Sequence, residues 1–143
     1  MLNIYNSIKQ PATTGFISVD NWLSKIQTSE FSSTINKARN GLIDYNKTKA
    51  SLPAVTWNFN FIDYKSDANC IYSTNHIFID IDDSSFDIKS VDKTKVFAFY
   101  KSFGGSGYGL IVKTKGITYY TFKTAYMSIC SQLGIEKYID KNF

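Results

Sequence analysis

Along this chain the spacing of apolar residues changes period twice. Over residues 19–28, Val19, Trp22, Leu23 and Ile26 fall at i, i+3, i+4 and i+7, which predicts a helix with Ser18 or Asp20 as its cap. A second helical stripe, Phe31, Ile35, Ala38 and Leu42, follows and stops near Gly41. The stretch "NKTKASLPAV" then reads as a polar, Lys-bearing connection that ends in a proline. From Val55 the period becomes two. Val55, Trp57, Phe59 and Phe61 alternate with Thr56, Asn58 and Asn60, which predicts a half-buried strand. Segments 76–82, 95–101 and 108–114 also read as short strands, each bounded by Gly, Ser, Asp or Lys. Residues 119–133 return to helical spacing, with Phe122, Tyr126, Ile129, Cys130 and Leu133 on one face and Gly134 as the stop. A short apolar piece, "KYID", comes last. Helices, then strands, then a helix predict an α+β domain with a mainly antiparallel sheet.

Composition narrows the class. A chain of 143 residues is expected to form one domain, and 43% hydrophobic with 16% aromatic residues is a globular composition. No run approaches the roughly 18 apolar residues of a membrane span, and the N-terminus lacks the pattern of a signal peptide, so a cytoplasmic location is expected. Cys70 and Cys130 lie far apart, and with His76 as the single histidine they cannot build a conventional zinc site. Cys130 sits on the apolar helical stripe and is expected in the core. The net charge of +4 suits a polyanionic partner. Arg39 is the sole arginine, however, so the positive charge is almost all lysine.

The charge pattern of "HIFIDIDDSS" adds chemistry. Strand alternation sends Ile77, Ile79 and Ile81 to one face, and Phe78, Asp80 and Asp82 to the other. The two carboxylates are then neighbours, roughly 6–7 Å apart at Cβ, where like charges repel. One or two oxygen-ligated divalent cations, Mg²⁺ or Mn²⁺, would relieve that repulsion. Paired metals of this kind serve phosphoryl transfer from nucleoside triphosphates. Read without that chemistry, "DIDDSS" is a solvated strand end entering a turn. Parity sets Asp83 on the other face, outside the candidate ligands.

The stretch "FYKSFGGSGYGLIVK" carries Gly104, Gly105, Gly107 and Gly109 between two apolar strands. Glycines allow backbone N–H groups to converge on phosphate oxygens. Ser102 and Ser106 offer hydroxyls, and Lys101 and Lys113 offer charge to a triphosphate. A plain hairpin turn is the competing reading. The context is neither a P-loop nor a dinucleotide-binding fingerprint.

Together these motifs resemble the archaeo-eukaryotic primase (primase-polymerase) superfamily, and more closely the VirE-type N-terminal domains of Bacteroidetes mobile elements and phages. The resemblance rests on "KTKASLPAV" before the first core strand, "IFIDID", the "SGYGL" turn, and a helix followed by "YID". It spans roughly residues 45–143. It implies an RRM-like α+β core, metal ligation by Asp80 and Asp82, Asp140 as a third carboxylate arriving from a neighbouring strand, and Ser106 and Gly107 against the incoming nucleotide's phosphates. Gly109 and Lys113 complete the expected nucleotide-binding set. The expected activity is primer synthesis or extension, with nucleoside triphosphates, a single-stranded DNA template stacking on Tyr108 or Trp57, and a helicase domain or protein as partners. The expected organisation is a single domain, a helical part over 1–44 and a catalytic-type core over 45–143. This chain departs from the family in having no His after Ser106 and in stopping three residues after Asp140. It is therefore expected to be a piece of a longer replication protein or a reduced domain. The alternative function is a non-catalytic module binding single-stranded nucleic acid or a replication partner. A phosphodiester-cleaving enzyme ranks third, because the nucleases expected in that setting use His clusters.

Overall fold

The computed structural model describes residues 1–28 and 30–139. Among the described residues, fifteen short elements build two compact units, Met1–Thr74 and Asn75–Phe143. The class is α+β with antiparallel sheets. Among the described residues no helix is long and apolar enough to cross a membrane.

In the first unit, β1 (Leu2–Tyr5) lies between β2 (Gly15–Ile17) and β3 (Ala54–Val55), antiparallel to both. The helix α1 (Val19–Gln27) begins where the sequence predicts, with the Ser18 side chain accepting from the Asn21 N–H and Trp22 buried. The second predicted helix is α2 (Ser32–Arg39), followed by Gly41 at φ 71°. Leu42, expected on its apolar face, lies beyond it and is exposed. The "polar connection" is corrected: Tyr45–Ser51 form a helix, α3, because Asp44 caps it by accepting from the Lys47 N–H and because Thr48 and Ala50 turn to the interior.

The strand predicted from Val55 to Phe61 is also corrected. It breaks into β3, paired to β1, and β4 (Phe59–Phe61), paired to β5 (Cys70–Ser73). Two asparagines then do what a continuous ladder would have done. The Asn60 side chain accepts from the Asn3 N–H at 3.0 Å and donates to the Met1 carbonyl at 3.1 Å. Asn3 reciprocates, accepting from the Phe61 N–H at 2.6 Å and donating to the Phe61 carbonyl at 3.2 Å. Both side chains are fully buried, which the four bonds make tolerable. Asn60→Ala is expected to destabilise the protein by about 2 kcal/mol, since it leaves the buried Asn3 N–H unpaired. The exposed control Asn6→Ala should stay within about 0.5 kcal/mol. Urea denaturation curves of the two variants check this.

The second unit is a three-stranded antiparallel sheet in the order β6 (His76–Ile81), β8 (Tyr108–Lys113), β7 (Ala98–Lys101). Ile77, Ile79 and Ile81 are fully buried and share a core with Leu110, Val112, Phe86 and the helix α4 (Phe122–Leu133), which contributes Tyr126, Cys130 and Leu133. Gly134 ends α4 in the left-handed region at φ 69°, as its place after the apolar stripe predicts. Burial, with a smaller push from Glu136, raises the Cys130 thiol to about 11. Cys70 is half-buried, and neither cysteine is in a disulfide. At pH 8 Cys130 should react with a thiol reagent at least about a hundredfold more slowly than an ordinary thiol, since two pKa units cost that much thiolate. Native and denatured thiol titrations with mass mapping should therefore find Cys130 labelled only after unfolding.

Candidate functional site

The carboxylates and the glycine turn meet at one corner of the second unit. Side chains alternate along β6 as predicted: the isoleucines enter the core, Phe78 is half-buried and Asp80 is exposed. The strand ends at Ile81, so Asp82 is the first residue beyond it and is also exposed. Cross-strand register brings Asp80 opposite Gly109, and Gly109 opposite Tyr100. These three positions therefore lie on one face. One turn back, a Cβ added to Gly107 would overlap the Ile81 carbonyl oxygen and come within 3.1 Å of the Asp82 Cα. Glycine is required there by close backbone approach, and that approach sets the β7–β8 turn against the end of the acidic strand.

The turn itself is closed by Ser102. Its N–H donates to the Gly107 carbonyl at 3.0 Å, its carbonyl accepts from the Gly105 N–H at 3.0 Å, and its Oγ accepts from the Gly107 N–H at 3.3 Å. Gly105 adopts φ 85°. The amides of Gly105 and Gly107 are thus spent inside the turn, while those of Gly104 and Ser106 make no hydrogen bond among the described residues. Ser106 is exposed and Gly107 buried. A phosphate cradle of successive amides, as the glycine content suggests, reduces to two candidate N–H groups and the Ser106 hydroxyl.

Lys113 is not brought to this corner. It occupies the far end of β8, opposite His76, four residues and about 13 Å from Gly109 by strand rise. Its ammonium stands 4.0 Å from the centre of the Phe97 ring. Lys101 is exposed at the end of β7 but has the opposite parity to Tyr100, so it belongs to the other face. Trp57 is buried at 6% exposure, and Tyr108 packs on the core and meets Phe86 edge-on. Trp57 therefore offers no exposed ring for template stacking, and Tyr108 is half-buried.

One aromatic pair does share the face of Asp80, and periodicity alone does not find it. Phe78 and Tyr100 stack with ring centroids 6.2 Å apart and planes at 22°, closing over Gly109, whose missing side chain makes room for both rings. The available signal was a glycine between aromatic-bearing neighbours, legible only once the register is known.

Asp83 serves the backbone. Its Oδ1 accepts from the Ser85 N–H at 2.8 Å and the Ser85 hydroxyl at 2.7 Å, and its carbonyl accepts from the Phe86 N–H. Those bonds to Ser85, aided weakly by Lys137, hold its carboxyl below the ordinary range. Asp140 lies outside the described residues. The segment leading to it, residues 136–139, is turn and bend, and β6 has no strand partner on its outer side among the described residues.

Two carboxylates at a strand end fit a hard cation that keeps several waters and shares substrate phosphates, as Mg²⁺ and Mn²⁺ do. Among the described residues no three His, Cys, Asp or Glu side chains converge as a metal-binding group. A two-carboxylate set, completed by ligands from the substrate, is what these residues could supply. No family model, curated protein or solved structure matches this chain.

Proposed function

We propose that this chain is a primase-polymerase-like domain, with its core over residues 45–143, performing metal-dependent nucleotidyl transfer in primer synthesis or extension. The observation that supports this reading is the contact of the "SGYGL" turn with the acidic strand: Gly107 against Ile81 and Asp82, and Gly109 opposite Asp80. Motifs separated by some twenty-five residues in sequence lie against each other, which is what supports the reading. Asp80 and Asp82 would hold Mg²⁺ or Mn²⁺, which when bound lowers the charge repulsion between a nucleophilic oxygen and the triphosphate. Ser106, with its own amide and that of Gly104, would orient the phosphates. Phe78 and Tyr100, half-buried on the face of Asp80, would be the rings nearest a bound base or sugar. Asp140 remains the proposed third ligand, and single-stranded DNA with a helicase domain or protein the proposed partners.

One observation favours a second reading, a non-catalytic module that binds single-stranded nucleic acid or a replication partner. Half of the turn's candidate amides are consumed by Ser102. Such a module would bind single strands with an affinity that falls with salt and ignores chelators.

The deciding experiment is incorporation of labelled deoxynucleotides on a single-stranded template with Mn²⁺, Mg²⁺ or chelator. Transfer that needs metal is expected. A protein inert with both metals that still binds the template in chelator sinks the catalytic reading for this chain.

A further inference from the structure

The loop between β8 and α4, residues 114–121, ends in two rings that face water. Tyr120 is 92% exposed and Tyr119 49%, and they meet edge-on with centroids 5.9 Å apart. A ring left in water adds little to a core, so folding does not account for this pair. The turn beneath them is nevertheless firmly built. The Thr118 N–H donates to Thr121 Oγ1 at 2.9 Å, the two hydroxyls stand 3.1 Å apart, and the Thr121 N–H donates to the Thr118 carbonyl at 3.2 Å. At its start the loop is tied to the residue before β6, where the Asn75 carbonyl accepts from the Thr114 N–H at 2.9 Å. The rings are thus held out in one place before any partner arrives.

Charge points to the kind of partner. From residue 93 to residue 135 the chain carries Lys93, Lys95, Lys101, Lys113, Lys115 and Lys123 and not one Asp or Glu. Asp80, Asp82, Asp83, Asp87 and Asp92 crowd the segment just before it. The fold converts that order into two ends of one unit. Asp80 lies toward the turn end of the β6–β8 pair, and Lys113 lies at the opposite end, where β8 runs into the tyrosine loop. There the Lys113 ammonium stands 4.0 Å from the centre of the Phe97 ring. The Phe122 N–H donates to the Tyr119 carbonyl at 3.4 Å, so the turn winds directly into α4. Lys123 then follows Tyr119 by four residues and Tyr120 by three, the spacing of neighbours on one side of a helix. Lys115 is exposed in the same loop. Backbone geometry, and not exposure alone, brings these rings and lysines together.

We infer that this end of the second unit holds single-stranded DNA, with bases stacked on Tyr120 and Tyr119 and phosphates beside Lys115 and Lys123. Unpaired bases present ring faces that stack on exposed aromatics, and every base has one, so no arginine fork or base-edge contact is needed. Lysine serves phosphate well as a point charge. A duplex would meet the same lysines but keep its bases from the rings, and an apolar protein surface would leave the lysines without counter-charge. The choice of DNA over RNA rests on the primase-polymerase reading. The surface would then grip the template at the end of the sheet away from the acidic corner.

The test is fluorescence anisotropy of a labelled oligothymidylate of about twelve nucleotides, titrated with the whole chain in chelator over a range of salt. Saturable binding that weakens with salt is expected. Tyr120→Ala, at a ring the fold leaves in water, should weaken it at least about fivefold, and Tyr120→Phe should keep it within about twofold. Lys115→Ala should lower the slope of log affinity against log salt by about 0.7, the share of one single-strand phosphate. The same sequence as a duplex should bind more weakly. The inference is overturned by an absence of binding at low salt, by unchanged affinity in Tyr120→Ala, or by a duplex that binds as tightly. Competition by oligoglutamate equal to that of unlabelled oligothymidylate overturns it in favour of an acidic protein partner, and tighter binding of oligouridylate overturns the choice of DNA. Failure here is separable from failure of the proposed activity, because neither metal nor nucleotide is present. A chain that binds in this way yet incorporates no nucleotide overturns the catalytic reading alone, and one that incorporates yet binds equally without the Tyr120 ring overturns this inference alone.

Discussion

Gly107→Ala is expected to destabilise the protein by about 3 kcal/mol, although Gly107 has no unusual φ to defend. The reason is steric. The added methyl would overlap the Ile81 carbonyl oxygen, a backbone atom inside the β6–β8 ladder that cannot swing aside. Either the turn lifts off β6, losing the pairings Asp80↔Gly109 and Ile81↔Tyr108, or the strand end is displaced. Gly109→Ala supplies the comparison. There the new Cβ would stand 2.5 Å from Phe78 Cε2 and 3.2 Å from Tyr100 Cε2, both at the far ends of rotatable rings. A cost of about 1 kcal/mol is expected, with a change in near-ultraviolet circular dichroism as the rings part. Thermal unfolding of both variants checks the order. If Gly107→Ala costs no more than Gly109→Ala, the turn is not pinned to the acidic strand, and the proximity on which the proposed function stands fails with it.

Asp80→Asn is expected to reduce metal-dependent nucleotide incorporation by at least about a hundredfold while leaving the fold intact, because Asp80 is exposed and an amide is a poor ligand for a hard cation. Asp82→Asn should do the same. Asp83→Asn should not. Its carboxylate is engaged with the Ser85 N–H and hydroxyl, and an asparagine keeps the oxygen that accepts them. The three variants thus separate ligation by two named residues from a general effect of negative charge. Equal losses in all three would count against the assignment of Asp80 and Asp82, as would full activity in Asp80→Asn.

Much of the second unit was legible in order of residues alone. Three isoleucines alternating with Phe78 and Asp80 define a strand with one buried face, because a period of two admits no other placement of that apolar row. The apolar stripe Tyr126, Cys130 and Leu133 with Gly134 after it likewise specifies α4 and its end. The first unit was less legible. Leu2–Tyr5, Gly15–Ile17 and Cys70–Ser73 are too short to show a period, and they exist as strands because partners distant in the chain complete their hydrogen bonds. Asp44 competes as a cap against a polar, lysine-rich stretch, and the cap wins once Thr48 and Ala50 have an interior to face.

What the sequence by itself determined is the chemistry on offer: carboxylates on the polar face of an apolar strand, glycines where backbone must come close, and lysine in place of arginine. What only the tertiary structure decided is which of these groups meet. Register sets Gly109 opposite Asp80, and it carries Lys113 to the other end of the same strand. Packing buries Trp57 and sets the half-buried rings of Phe78 and Tyr100 on the face of Asp80. It also gathers Lys9, Lys65 and Tyr5, which no motif connects, around one cavity. The physical reason is that local spacing fixes the direction of each side chain within its own element. The neighbour across a strand or a loop is chosen by the free energy of the whole unit.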